Sequence, residues 1–194
     1  SLCGYPAEDW LLRWDFLEYC REQLHALAQG ISGEISVVVG FPEYEKDEDG
    51  KWRCFNAAAV ICQQKIVGVY RKQKLPNSGV FDEKRYFSPG NSAFVFPCVG
   101  RKVGLLICDD IWHPEPAQQA KTAGADVLAV INASPYHDTQ LSLRYQVLRD
   151  RARENCLPIL YCNRVGGQDE LVFDGASTVI NAQGAYIQRL PSFT

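Results

Sequence analysis

The stretch "VGLLICDDIWHPEPAQQAKTAGADVLAVIN", residues 103–132, decides the fold class. Its beginning, up to Cys108, and its end, from Asp126, are short apolar runs typical of buried strands. A helix is predicted between them near Ala117–Ala123, and a longer helix follows from about Leu141 to Glu154. Strands that alternate with helices in this way predict a mixed α/β sheet with helices packed on it.

The rest of the chain supplies further elements around this stretch. The segment from Pro6 to Gly30 has apolar residues at helical spacing and predicts one helix. The charged run "EYEKDEDGK" is interpreted as a solvated loop, and residues 73–92 as a long connection of the kind that tends to be functional. No linker is visible, so residues 1–194 are expected to form a single domain. Further strands are predicted in "ISVVVG", "CFNAAAVIC", "IVGVYRK", "AFVFP", "LPILYCN", "LVF" and "STVINAQGAYI".

Composition excludes several classes of function. Hydrophobic residues make up 46% and charged residues 22%, as in ordinary globular proteins. The net charge of -3 argues against nucleic acid or a membrane as a partner, and no apolar run is long enough to span a bilayer. The eight cysteines are scattered without a C-x-x-C pair. This pattern favours a reduced cytoplasmic protein over a disulfide-bonded or zinc-binding one.

Three residues are candidates for chemistry. Cys108 follows a buried strand, where a side chain is rigidly held yet reachable, so it is either a nucleophile or a small core residue. Lys72 also ends a strand, and an ammonium beside a thiol would favour the thiolate. Glu83, in "GVFDEKRYF", either holds Lys72 within a site or forms surface salt bridges.

The three histidines offer a competing interpretation. A Cys–His pair is the commonest way to activate a thiol, and His113 lies close to Cys108 in sequence. However, Cys108 lacks the flanking glycines of a nucleophile elbow. A metal site formed by Cys108, Asp110 and His113 is a weaker possibility still.

Four motifs resemble the carbon–nitrogen hydrolase (nitrilase) superfamily: "YRKQKLPNSGVFDEKRYF", "GLLICDDIW", "NASPYH" and "YCNRVGGQDELVFDGAS". The last is similar to the glutamine-hydrolysing domain of bacterial glutamine-dependent NAD synthetases. The resemblance implies a four-layer α-β-β-α sandwich with Cys108 as nucleophile, Lys72 as its cationic partner and Glu83 as the glutamate that orients the lysine. It also places four residues at the glutamine pocket, Tyr5, Asp109, Trp112 and Ser134, and Arg144 is a candidate fifth.

The chemistry implied by this resemblance is thiolate attack on the side-chain amide of glutamine. Ammonia leaves, a glutamyl thioester forms, and water releases glutamate. This step needs no cofactor. In the family, ATP and Mg²⁺ serve a separate synthetase domain, normally in the same chain, which uses the ammonia to convert deamido-NAD to NAD. By analogy with the family we also expect a homo-oligomer.

The sequence departs from the family pattern in two ways. The general-base glutamate would fall just ahead of Ser1, so the chain is expected to lack it together with the first strand, helix and second strand. The absence of methionine agrees with such a fragment. At the pocket, Ser78, Asp109 and Gln140 differ from the family residues, and Arg144 is a candidate replacement for a missing cation. Two alternatives therefore stay open, a stand-alone amidase for another small amide and a catalytically impaired remnant that only binds partners.

Overall fold

The computed structural model describes residues 1–194 and divides the chain into two compact units, Ser1–Ser92 and Ala93–Thr194. Sequence analysis expected a single domain, because nothing in the composition marks a boundary near Ser92. Each unit contains its own sheet with a helix or helices against it. No helix combines the length and the apolar character needed to cross a bilayer.

The first unit has a three-stranded antiparallel sheet in the order β1-β2-β3. Its elements are the 3₁₀ helix Glu8–Leu12, α1 (Trp14–Gly30), β1 (Ser36–Lys46), β2 (Trp52–Cys62), β3 (Lys65–Arg71) and α2 (Glu83–Tyr86). Leu24 and Ala28 of α1 pack against Ala57, Ala59 and Ile61 of β2. The predicted hairpin of β2 and β3 is confirmed, and α1 covers one face of the sheet.

Two predictions for this unit are wrong. The single helix over Pro6–Gly30 is interrupted at Arg13, whose backbone is extended (φ -98°, ψ 119°). The charged run predicted as a loop is strand as far as Lys46, because Arg71 on β3 binds the Glu43 carboxylate at 2.6 Å and the Glu45 carboxylate at 2.5 Å. These ion pairs give charged strand residues partners, which composition alone does not reveal.

The second unit has a six-stranded sheet in the order β11-β10-β7-β6-β5-β4 and a separate hairpin of β8 and β9. Its elements are β4 (Val95–Cys98), β5 (Arg101–Ile107), the 3₁₀ helix Cys108–Trp112, α3 (Pro114–Thr122), β6 (Val127–Asn132), α4 (Gln140–Asn155), β7 (Ile159–Asn163), β8 (Val165–Gln168), β9 (Leu171–Asp174), β10 (Thr178–Ile180) and β11 (Tyr186–Arg189). The three central strands β5, β6 and β7 are parallel and the outer pairs are antiparallel. The predicted mixed sheet is confirmed.

The parallel strands position the site. A Cβ on Gly104 would lie 2.9 Å from the Ala120 side chain, so the glycine lets α3 lie directly on β5. The carboxyl ends of β5, β6 and β7 meet at one edge of the sheet, which is where parallel α/β sheets carry their ligand sites. Cys108 follows β5 at that edge, and Asn132 and Asn163 are the last residues of β6 and β7.

Candidate active site

Cys108 lies in a backbone conformation that L-residues seldom adopt. It is half-buried, follows β5 directly and begins the 3₁₀ helix Cys108–Trp112. Its φ of 46° is in the left-handed region, which costs a residue with a side chain about 1–2 kcal/mol. Backbone strain of this kind clusters at functional sites, because the surrounding structure must impose it.

The two aspartates behind Cys108 have different environments. Asp110 is fully buried, and its Oδ2 accepts a hydrogen bond from the Ile107 backbone N–H at 3.0 Å, which ties the turn to the end of β5. Asp109 is half-buried, and its Oδ2 lies 3.3 Å from Nε2 of the exposed His113. The predicted pocket residue Trp112 is half-buried at the end of the same helix. Asp110 therefore has a structural role, and Asp109 is the aspartate closer to solvent.

Ser134 and Arg144, both predicted pocket residues, lie together in a buried network. The Arg144 guanidinium donates to both Asp174 oxygens, at 3.2 and 3.1 Å, and to Ser134 Oγ at 3.2 Å. Arg144 and Asp174 are each 1% exposed. The two terminal nitrogens of Arg144 thus have internal partners, so its binding of a substrate carboxylate stays a prediction, and its observed contact is with Ser134.

Asn163 completes this network from the end of β7. Its side-chain amide donates to Asp174 Oδ1 at 3.3 Å and to the carbonyl oxygens of Ser134 at 3.3 Å and Gly175 at 3.0 Å. In return its Oδ1 accepts from the Ser134 backbone N–H at 2.9 Å. Both the backbone and the hydroxyl of Ser134 are fixed as a result.

In the first unit, three donors converge on the buried Glu83 carboxylate. The Lys72 ammonium donates to Oε2 at 2.7 Å, with side-chain exposures of 1% and 3%. Tyr5 Oη and Asn56 Nδ2 donate to Oε1 at 2.9 and 3.0 Å. The carboxylate therefore holds the ammonium in one place, and Tyr5 and Asn56 hold the carboxylate.

Backbone contacts fix the position of Lys72. Its N–H donates to the Asn56 carbonyl and its carbonyl accepts from the Gly90 N–H, both at 2.8 Å. A Cβ on Gly90 would lie 2.2 Å from the Arg71 carbonyl oxygen, so only glycine permits this approach. Glu83 begins α2 inside the long connection, and its backbone N–H donates to the Pro76 carbonyl oxygen at 3.2 Å.

A cavity of about 280 Å³ opens beside Glu83 in the first unit. Glu83, Asn56 and Tyr5 contribute to its wall, with the aromatic rings of Phe41 and Phe81. The cavity lies on the Glu83 side of the Lys72–Glu83 pair, and Lys72 does not line it.

Sequence reasoning missed three residues of these networks. Asn56 is a lone amide in the apolar strand "CFNAAAVIC", which is itself a signal of a specific partner. Asn163 ends "LPILYCN", and Asp174 closes "LVFD". Their strand ends were visible, but the partners lie many positions away and one sequence does not pair them.

Residues 3–194 match the sequence pattern of the carbon–nitrogen hydrolase family. The glutamine-dependent NAD(+) synthetase of Aquifex aeolicus is 41% identical over 195 residues, which cover 100% of this chain and 33% of that protein. The corresponding enzyme of Thermotoga maritima is 46% identical over 189 residues, which cover 96% of this chain and 32% of that protein. The chain thus spans about a third of the length of the curated relatives it matches.

Two solved structures have a similar fold. Glutamine-dependent NAD+ synthetase from Acinetobacter baumannii, in complex with ADP, has a TM-score of 0.87 and 41% identity, covering 98% of this chain and 35% of that one. An amidase of the nitrilase superfamily from Nesterenkonia AN1 has a TM-score of 0.80 and 25% identity, covering 97% of this chain and 69% of that one. The likeness extends over nearly the whole chain in both cases.

Proposed function

Because this chain belongs to the carbon–nitrogen hydrolase family, we propose that it is a glutamine-hydrolysing domain that releases ammonia for NAD synthesis. The observation that carries the proposal is Cys108, a thiol held at a left-handed backbone position at the end of a central parallel strand. The names of the relatives from Aquifex aeolicus and Thermotoga maritima support glutamine as the substrate.

In the proposed reaction the Cys108 thiolate attacks the carbonyl carbon of the glutamine side-chain amide. The C–N bond then breaks, the nitrogen takes up a proton and leaves as ammonia, and a thioester remains on the sulfur. Water attacks the thioester, which releases glutamate and restores the thiol. Lys72 stabilises the negative oxygen that develops in each tetrahedral intermediate, since an ammonium fixed by Glu83 needs no reorganisation.

We assign substrate recognition to the predicted pocket residues. Tyr5 acts through Glu83, to which it donates a hydrogen bond. Ser134 is held ready by Arg144 and Asn163, while Asp109 and Trp112 lie on the helix that Cys108 begins. The proposed partner is a synthetase domain that consumes the ammonia, and the proposed assembly is a homo-oligomer.

The test is ammonia release from glutamine by the whole chain and by a Cys108→Ala variant. We expect the variant to lose all measurable activity, because it has no nucleophile. Cys156→Ala, which removes an exposed thiol at the end of α4, is the matched control and should keep the wild-type rate. Equal activity of Cys108→Ala and wild type would refute the proposal.

A second candidate function is hydrolysis of another small amide. The fold likeness to the Nesterenkonia amidase and the non-family residues Ser78, Asp109 and Gln140 favour it. Comparing kcat/KM for glutamine with that for butyramide separates the two functions. A higher value for butyramide would favour the small-amide amidase.

A further inference from the structure

Tyr161 is a buried tyrosine in the middle of β7. It pairs in register with Val130 on β6 and with Thr178 on β10, and its side chain is 1% exposed. The Arg144 guanidinium lies over its ring, 5.8 Å from the ring centroid. The ring is therefore a fixed part of the packed core of the second unit.

The hydroxyl of Tyr161 has no hydrogen-bond partner, although it is completely buried. The Ser134 hydroxyl is near enough to lower the pKa of Tyr161, but the two oxygens do not have the geometry of a hydrogen bond. An unpaired buried hydroxyl lowers stability, and phenylalanine would fill the same space without that penalty. Packing thus explains the ring of Tyr161 but gives no reason for its oxygen, and an unsatisfied buried group of this kind calls for another explanation.

Tyr161 lies near the end of β5 that Cys108 follows. It shares its register row with Val130 and Leu106, so these three side chains lie on one face, and Leu106 is two residues before Cys108. Burial raises the pKa of Tyr161, and a charge on Cys108 raises it further. The phenol therefore stays protonated and remains a hydrogen-bond donor beside the thiol.

We propose that the Tyr161 hydroxyl donates a hydrogen bond to the amide substrate held at Cys108. The hydroxyl forms no hydrogen bond with the sulfur, so its proton is not already donated to Cys108. A donor already desolvated and fixed by its ring would strengthen its hydrogen bond to oxygen as negative charge develops there. This role rests on the proposed function, because it needs an amide at Cys108.

Two thiol reagents test the role in the whole chain. Fluoroacetamide carries an amide; the thiolate attacks its fluoromethyl carbon, an S–C bond forms and fluoride leaves. In a glutamate-to-glutamine mutant of an amidase from Nesterenkonia sp. AN1, the acetamide moiety of fluoroacetamide adds covalently at the active-site cysteine. Methyl methanethiosulfonate has no amide; the thiolate forms a disulfide with its methylthio group and methanesulfinate leaves. Peptide mass mapping measures the rate of each reaction at Cys108.

We expect Tyr161→Phe to slow the fluoroacetamide reaction about tenfold, the effect of losing one hydrogen bond, and to leave the methanethiosulfonate rate unchanged. The thermal midpoint should stay equal or rise, because no internal partner is lost. Tyr186→Phe is the matched control. Its hydroxyl donates to the Tyr145 carbonyl at 3.0 Å, so this variant should lose some stability and keep both rates.

Several results would overturn the proposal. If Tyr161→Phe reacts with fluoroacetamide at the wild-type rate, the hydroxyl does not contact the amide. Equal slowing with both reagents, or a clearly lower midpoint, would show a structural role instead. If fluoroacetamide modifies Cys108 of the wild type no faster than the other cysteines, the proposed function itself fails, which is a distinct outcome.

Discussion

At the scale of single residues, the buried pair of Lys72 and Glu83 joins stability to chemistry. Each charge is almost completely withdrawn from water, so each depends on the other for compensation. The same contact sets where the ammonium can act. A change to the carboxylate alone therefore affects both folding and the proposed reaction.

We predict that Glu83→Gln lowers the free energy of unfolding by about 3–5 kcal/mol, because Lys72 loses a buried counter-charge while the shape of the side chain is kept. Ammonia release from glutamine should fall as well. Urea titration measures the first effect and a coupled glutamate assay the second. Glu34→Gln, which changes an exposed carboxylate, is the control and should change neither quantity. A Glu83→Gln protein as stable as wild type would contradict the prediction.

The partners of single residues were predictable from the sequence where the residues belong to a motif. The expectation that Glu83 holds Lys72 agrees with their 2.7 Å contact, while their catalytic roles stay proposals. Arg144 was predicted as a replacement for a missing pocket cation, but its ion pair with Asp174 was not predicted. Arg144 and Asp174 lie far apart in sequence, and no pattern in either segment indicates that they pair.

At the scale of elements, the end of β3 depends on a long connection whose one regular element is the short helix α2. Gly90 lies against the Arg71 carbonyl and donates its N–H to Lys72. The long connection over residues 73–92 therefore contacts the strand that it leaves. This contact fixes the end of β3 at Arg71, the residue directly before Lys72.

We predict that Gly90→Ala costs about 1–3 kcal/mol of stability, because a Cβ 2.2 Å from the Arg71 carbonyl forces the two backbones apart. The displacement should also move Lys72 and reduce glutamine hydrolysis. Gly30→Ala is the control, since no atom lies within 4 Å of its added Cβ. It lies at the end of α1, so it should be neutral or slightly stabilising. Equal unfolding midpoints for the two variants would sink the prediction.

Most elements were predictable from periodicity and turn residues, and two segments of the first unit were not. β1 continues through charged residues because Arg71 pairs with Glu43 and Glu45, a tertiary contact. The helical segment breaks at Arg13 although its apolar spacing continues. At β1 a contact from elsewhere in the fold decides the backbone, and the local sequence pattern has no access to it.

At the scale of the whole molecule, the nitrilase-like α/β class predicted from the motifs is confirmed by the match to solved structures. The division into two compact units was not predicted. Composition is uniform across Ser92 and Ala93, and a boundary between two packed units leaves a mark in sequence only where a linker separates them.

The eight thiols should react in an order set by burial. Burial raises the pKa of Cys20 to about 11 and that of Cys54 to about 12, whereas Cys156 and Cys162 are exposed. We therefore predict that at about pH 8 methanethiosulfonate modifies Cys156 and Cys162 but spares Cys20 and Cys54. A raised pKa means that the thiolate forms only at higher pH, so the buried Cys20 and the half-buried Cys54 should become reactive as the pH approaches these values.

Mass mapping over a pH series checks this order. Denaturant provides the control, because unfolding should make all the thiols react alike near pH 8. Modification of native Cys54 as fast as Cys162 at that pH would mean that Cys54 is not withdrawn from solvent.

The left-handed backbone of Cys108 has an evolutionary consequence. Glycine adopts this conformation without steric cost, so at this one position the replacement that favours folding most is one that abolishes the thiol. While the reaction is under selection, the cysteine is retained against that preference. In a descendant freed from the reaction, drift and selection for stability would act in the same direction, and a glycine in place of Cys108 would be an early trace of the lost activity.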